Sequence, residues 1–348
     1  MKSVVVSGYG ISSSLAFGGQ NFMRKAASGD WSAVFGSEQL TEEAAERFSP
    51  DACRRMDEHT LYAILAAAEA CDSARLDDPS IDRDRIGTVF STLWGPIYTI
   101  NQYFHDVIAK GPAHASPFLF PSTVTNAVIG AVARLLACRG ASSMLVGCCP
   151  ICYAFDLIAA GKADIVVTGG VETVARFYRA FFTDLGSAYR FEGSAVLVLE
   201  DEEVARARDA PVLARIYGHA SASSPGLDDR EAMSRRLGSV IRRLTELPDF
   251  CADRVASSGT MLDGPDYSAE RAQLESDVLR GYGVRTDEYP QVPFVGLNRL
   301  LGVQSCLSLI RAIWESGRAE HKAFRKMLSA SCREGGNISA LLFEGAAQ

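Results

Sequence analysis

The sequence predicts an α/β fold, a sheet covered by helices on both faces. Three observations lead there. Short, continuous apolar runs recur along the chain and end in Gly or Ser, the pattern of strands covered on both sides. Ala- and Leu-rich stretches of helical length lie between several of them. The 348 residues, 47% hydrophobic and 22% charged, suffice for two core-bearing layers or domains.

The expected strands are 3–8 (SVVVSG), 85–92, 142–147, 163–170, 194–200, 212–219, 254–259, 293–297 and 339–344. Helices are expected over 59–74, over 126–140 with Gly140 as the residue just past the end, and over 306–317 closed by Gly317. The run RRLGSVIRRL (235–244) reads as an amphipathic helix with its four arginines in water; contact with an acidic carrier is the sharper alternative. The charged stretch 201–211, ending in Pro211, is the best seam. It divides the chain into halves, 1–205 and 206–348, that share a similar order of elements as a weak pseudo-repeat.

Charge narrows the function classes. A formal net charge of −7 disfavours nucleic acid and anionic membranes as partners. The N-terminal VVVSGYG reads as a buried strand and turn rather than a leader, and no apolar run is long enough to suggest a transmembrane helix. The nine cysteines follow no disulfide framework, so a cytoplasmic protein with reduced thiols is expected.

Three of those cysteines crowd into GCCPIC (147–152). As C-x-x-C at a helix start, Cys149 and Cys152 fit a redox pair, or half of a zinc site that lacks a second half. As a thiol at a strand-to-helix turn, Cys148 or Cys149 fits a nucleophile served by backbone N–H groups, provided a histidine reaches it. As small apolar side chains, all three fit a core.

The flanks of this cluster resemble the β-ketoacyl synthase family. GPAHASPFLFPSTVTNAVIGAVARLLACRGASSMLVGCC (111–149) resembles the approach to that family's nucleophile. GKADIVVTGGVET (161–173), EGSAVLVLED (192–201), VVVSGYGISSSLAFG (4–18) and EGGNISALLFE (334–344) resemble further family segments, in the right order from first strand to last. The resemblance implies a thiolase-like fold, layered α-β-α-β-α, with two pseudo-repeated halves, and a dimer. It implies no cofactor and no metal.

Carried over residue by residue, the resemblance also implies a degenerate site. The nucleophile position falls on Cys149, but about five residues are missing after it and Pro150 follows directly. The family's two histidine positions hold Ser258 and Arg299, its lysine position holds Phe294, and Ser331, Cys332 and Arg333 replace an apolar, glycine-flanked gate. Neither Ser258 nor Arg299 exchanges a proton near pH 7, so condensation is not expected. The segment between Glu172 and Glu192 is also shorter than in the condensing members.

This profile is similar to the chain-length factor, or ketosynthase β, of type II polyketide synthases, with polyene-type systems as the nearest comparison. The resemblance then implies a heterodimer with a catalytic ketosynthase, and an acyl carrier protein met mainly through that partner. Trp94, Tyr98, Phe118, Phe120 and Asn126 fall where members line the tunnel and interface; plain packing is the alternative for each. Glu172 and Asn337 are expected to hold the loops around the site. The competing function is a self-sufficient thiol acyltransferase or hydrolase using Cys149 or Cys148.

Overall fold

The computed structural model describes residues 2–30, 34–174, 176, 191–223, 230–248, 250, 255–257, 269–284, 286, 302–316, 326–332 and 337–345. The first half runs β1 (Val4–Ser13), α1 (Gly19–Ser28), α2 (Ser37–Phe48), α3 (Pro50–Cys53), α4 (Glu58–Ser73), β2 (Ile86–Thr92), α5 (Ile97–Lys110), α6 (Ala127–Leu135), β3 (Ser142–Val146), α7 (Pro150–Ala159), β4 (Ile165–Glu172) and β5 (Gly193–Asp201). After α8 (Glu202–Ala207) come β6 (Ala214–Ser223), α9 (Arg230–Thr245), β7 (Val255–Ser257), α10 (Ala269–Gly281), α11 (Gln304–Ser316), β8 (Lys326–Cys332) and β9 (Asn337–Gly345).

The described strands hydrogen-bond in the order β3-β2-β4-β5-β1-β6-β9-β8-β7. This order is a repeat in mirror sequence. β2–β4 is parallel, β4–β5 and β5–β1 antiparallel; β7–β8 is parallel, β8–β9 and β9–β6 antiparallel. Even the irregularities correspond: β1 shifts register between Val6 and Gly8, β6 between Ile216 and Gly218. The halves are stitched where Val4–Val6 pairs with Ala214–Ile216.

Period-two alternation sorts the apolar side chains into three cores. Val196 and Val198 of β5 face an outer core with α4 and α6, while Ala195, Leu197 and Leu199 face a central one. Leu341 and Phe343 of β9 enter that same central core, around α7 and α11; Ile338, Ala340 and Leu342 face a third core with α9 and α10. The layers are therefore α-β-α-β-α, with α7 and α11 in the middle.

α4 shows how sequence sets one of these contacts. Asp57 caps it by accepting the Thr60 N–H at 2.9 Å. Its alanines let β1 approach so closely that a Cβ built on Gly8 or Gly10 lies 2.4 Å from the Ala70 carbonyl oxygen or 2.2 Å from that of Ala66.

Two expectations are corrected. The helix expected over 126–140 ends at Leu135: Ala137 takes a left-handed φ of 53°. Gly140 caps nothing and instead donates its N–H to the Ile86 carbonyl at 2.8 Å, leading into β3. β8 was not expected, because KMLSASC carries only Met327 and Leu328 as large buried apolar side chains. Pairing with β7 and β9, not local pattern, makes it a strand. The strand expected over 293–297 lies outside the described residues, as does Gly317.

Candidate functional site

The cysteine turn sits at the end of β3. Gly147 turns the chain with a φ of 64° and donates its N–H to the Thr92 carbonyl at 3.0 Å. Cys149 is the N-cap of α7 and Pro150 its first residue. Proline suits that position, but it removes one of the N–H groups that a helix N-terminus offers to a thiolate or an oxyanion. The Cys149 side chain is 5% exposed and belongs to the central core with Val89 and Ile151; Cys152, 8% exposed, joins the same cluster. Cys148 is half-buried, and the Asn337 amide at the start of β9 donates to its sulfur at 3.8 Å.

Glu172 lies beneath this region and ties the halves together. It accepts the N–H groups of Leu93 (2.5 Å), Gly302 (3.1 Å) and Trp94 (3.4 Å). Burial outweighs these bonds and pushes its carboxyl up to about 7. The loop after β2 and the turn before α11 thus hang on one carboxylate.

A cavity of about 570 Å³ opens beside the start of α4. Tyr98 and Phe118 both line it; Trp94, Phe120 and Asn126 do not. Tyr98 donates its hydroxyl to Glu192 at 2.7 Å, and the Arg176 guanidinium sits 4.2 Å over its ring while pairing with Glu58 and Glu192. Phe118, 65% exposed, carries the Arg55 guanidinium 5.0 Å over its ring. Trp94 is half-buried, and Asn126 is exposed at the N-cap of α6. His59 also lines the cavity, its Nδ1 3.2 Å from the Thr173 hydroxyl. Burial lowers its pKa to about 4, so the ring is neutral at pH 7.

His59, Arg176 and Glu192 are the residues that sequence reasoning missed. A lone histidine gives no local signal, and the Tyr98–Glu192 contact joins residues far apart in the chain. Ser258, Phe294, Arg299 and Arg333 lie outside the described residues, as does 177–190 between Glu172 and Glu192; Ser331 and Cys332 are described only as the end of β8. Among the described residues, no three His, Cys, Asp or Glu side chains converge as a metal site, and no helix is long and apolar enough to cross a membrane.

The model of the β-ketoacyl synthase N-terminal domain matches residues 12–188, more than half of the chain. The chain belongs to the β-ketoacyl synthase family. A 3-oxoacyl-[acyl-carrier-protein] synthase 2 of Staphylococcus aureus is 34% identical over 192 residues, 48% of this chain and 48% of the relative. One from Synechocystis sp. is 27% identical over 218 residues, 55% of this chain and 52% of the relative. The chain thus spans about half the length of the curated relatives it matches.

Solved structures extend the family fold over the whole chain. A type II PKS acyl-carrier protein complex with its ketosynthase bound to the hexaketide gives a TM-score of 0.79 at 18% identity, covering 99% of each chain. The ishigamide ketosynthase/chain length factor gives 0.77 at 16%, covering 99% of this chain and 100% of the other. A β-ketoacyl synthase from Burkholderia phymatum gives 0.71 at 19%, with the same coverage. These likenesses are of fold, and all three neighbours share the thiolase-like arrangement of layers.

Proposed function

We propose that this chain is the non-catalytic partner of a catalytic ketosynthase: a chain-length factor that completes a heterodimer and shapes the acyl tunnel in type II polyketide or polyene biosynthesis. The observation that carries the reading is the burial of Cys149. The thiol at the family's nucleophile position lies in the central core, at a turn where Pro150 has removed a backbone donor. Ser258, Arg299 and Phe294 in the sequence add that the two imidazoles and the lysine of the condensing members are replaced. In this reading a buried thiol, with those positions replaced in the sequence, lacks the family's route to an enolate.

The partner surface in this reading is the β3 side of the molecule. β3 is an outermost strand of the described sheet. Apolar side chains gather on the same stretch of chain: Val146 is 60% exposed, Phe104 53%, Ile108 81% and Phe120 56%. An open edge strand with unburied apolar neighbours favours a covering protein. Tyr98 and Phe118 serve as tunnel or interface residues here, as do Trp94, Phe120 and Asn126. The acyl carrier protein is met mainly through the ketosynthase. We place the boundary between halves at 205/206, within α8.

A second reading has its own support. Cys148 is half-buried beside the Asn337 amide, which suits a self-sufficient thiol acyltransferase or hydrolase, and the curated relatives carry the names of synthases.

One experiment separates the two. The chain is co-expressed with its cognate ketosynthase, weighed under native conditions, and assayed for elongation with and without that subunit. The expected result is a one-to-one complex that elongates only when both chains are present. Val146→Lys is expected to weaken that complex at least about tenfold while changing this chain's own stability by no more than about 0.5 kcal/mol. A homodimer that turns over acyl thioesters alone, and loses turnover on Cys148→Ala, overturns the reading in favour of the second.

A further inference from the structure

A second cavity, about 850 Å³, shares no lining residue with the cysteine turn or with the cavity at His59. It lies between β1, α1, α4 and the C-terminal end of α11. One wall is apolar: Tyr9, Leu213, Ile313 and Trp314, whose side chains border the central core. Such a wall, opposite a few polar groups, is the usual make-up of a small-molecule site.

The charges around it are unequally engaged. Glu69 accepts the N–H groups of Gly19 at 2.7 Å and Ile11 at 2.8 Å. Asp72 is held by Arg47, with both carboxylate oxygens 2.6 Å from one guanidinium nitrogen. Burial raises the Glu69 pKa, and the two N–H bonds oppose that shift. Arg24 is exposed on the rim and makes no ion pair among the described residues. Arg24 thus leaves a cation beside an apolar wall, with the Glu69 carboxylate directed at two backbone N–H groups.

We propose that this cavity binds an apolar monocarboxylate, its hydrocarbon body against Tyr9, Leu213, Ile313 and Trp314 and its carboxylate on Arg24. An arginine receives a carboxylate in fork geometry. The chain's overall charge of −7 disfavours casual uptake of anions, so a preference for the ionised ligand has to come from a local group. The inference stands apart from the chain-length reading and survives or fails without it.

The test uses the full chain and two straight-chain probes, decanoate and uncharged decanol, below their aggregation limits. Binding is read by calorimetry and by Trp314 fluorescence, with Trp314→Phe as the spectral control; naphthoate in a parallel arm tells whether a flat aromatic body is taken as well as a linear one. Decanoate is expected to bind about tenfold more tightly than decanol. Arg24→Gln, an exposed substitution, should erase that ratio, and Arg24→Lys should retain part of it. Equal binding of decanoate and decanol overturns the proposal, as does a decanoate affinity unmoved by Arg24→Gln.

Discussion

β1 and β6 occupy equivalent places in the two halves and are bulged at equivalent points, yet they are packed by different means. β1 is buried along nearly its whole length, and its glycines press backbone to backbone against the alanines of α4. β6 alternates between buried and half-buried residues, and its Gly218 faces the Leu247 side chain, where a Cβ would come within 2.8 Å of Cδ1. The same strand plan therefore tolerates change very differently. Where two main chains meet, neither side yields; where a main chain meets a leucine, a rotamer change absorbs the strain.

Gly10→Val is the hardest blow to that difference. Its Cβ would lie 2.2 Å from the Ala66 carbonyl oxygen, so β1 and α4 must separate, and we expect a loss of at least about 3 kcal/mol in urea unfolding. A loss below about 1 kcal/mol would show that α4 is not a rigid wall.

Glu172, which bridges the halves, comes next, and its effect depends on pH. Its folded-state pKa of about 7 lies above the ordinary 4.5. The folded state therefore binds the extra proton between those values. The stabilisation is complete below about pH 4.5 and is lost as pH rises through 7, a fall on the order of 3 kcal/mol. His59 works in the opposite sense: with its pKa lowered to about 4, the fold loses stability as pH drops below about 6.5. Glu172→Gln should remove the decline on the alkaline side and leave the acid limb in place. Because the two groups oppose each other below about pH 6.5, the test is the difference between profiles: a Glu172→Gln profile parallel to the wild type's from pH 5 to about 8, within about 0.5 kcal/mol, would contradict the burial argument.

Gly218→Ala is the mild counterpart to the first substitution. With only the flexible end of Leu247 to displace, the expected cost is about 1 kcal/mol or less. A cost equal to that of Gly10→Val would erase the contrast between the strands.

Much of the fold was legible because β1, β4 and β5 are buried on both faces and so carry unbroken apolar runs. α4 was legible through its alanines. The end of α6 was not, because a glycine near a helix terminus reads as a cap whether it caps the helix or simply lets two backbones approach. β8 was hidden because its strand character comes from its neighbours. At the candidate site, the GCCPIC turn and the Pro150 directly after Cys149 were plain in the sequence. The burial of Cys149 against the partial exposure of Cys148 was not, since adjacent cysteines have the same local pattern. Glu172 was placed correctly as a support, but its three backbone donors, one of them Gly302 from the other half, belong to the assembled fold alone.

The contact between Gly170 and Gly302 has a mechanical consequence. A Cβ on Gly170 would stand 2.1 Å from the Gly302 carbonyl oxygen, and one on Gly302 would stand 2.7 Å from that of Ser91. Side chains between moving parts act as springs, bending before the backbone does. Here there is none to bend, so a displacement of one half against the other at this point has to pull peptide planes apart. The seam beside Glu172 is a hard stop, and any compliance the molecule offers to a bound chain or a partner has to be found elsewhere.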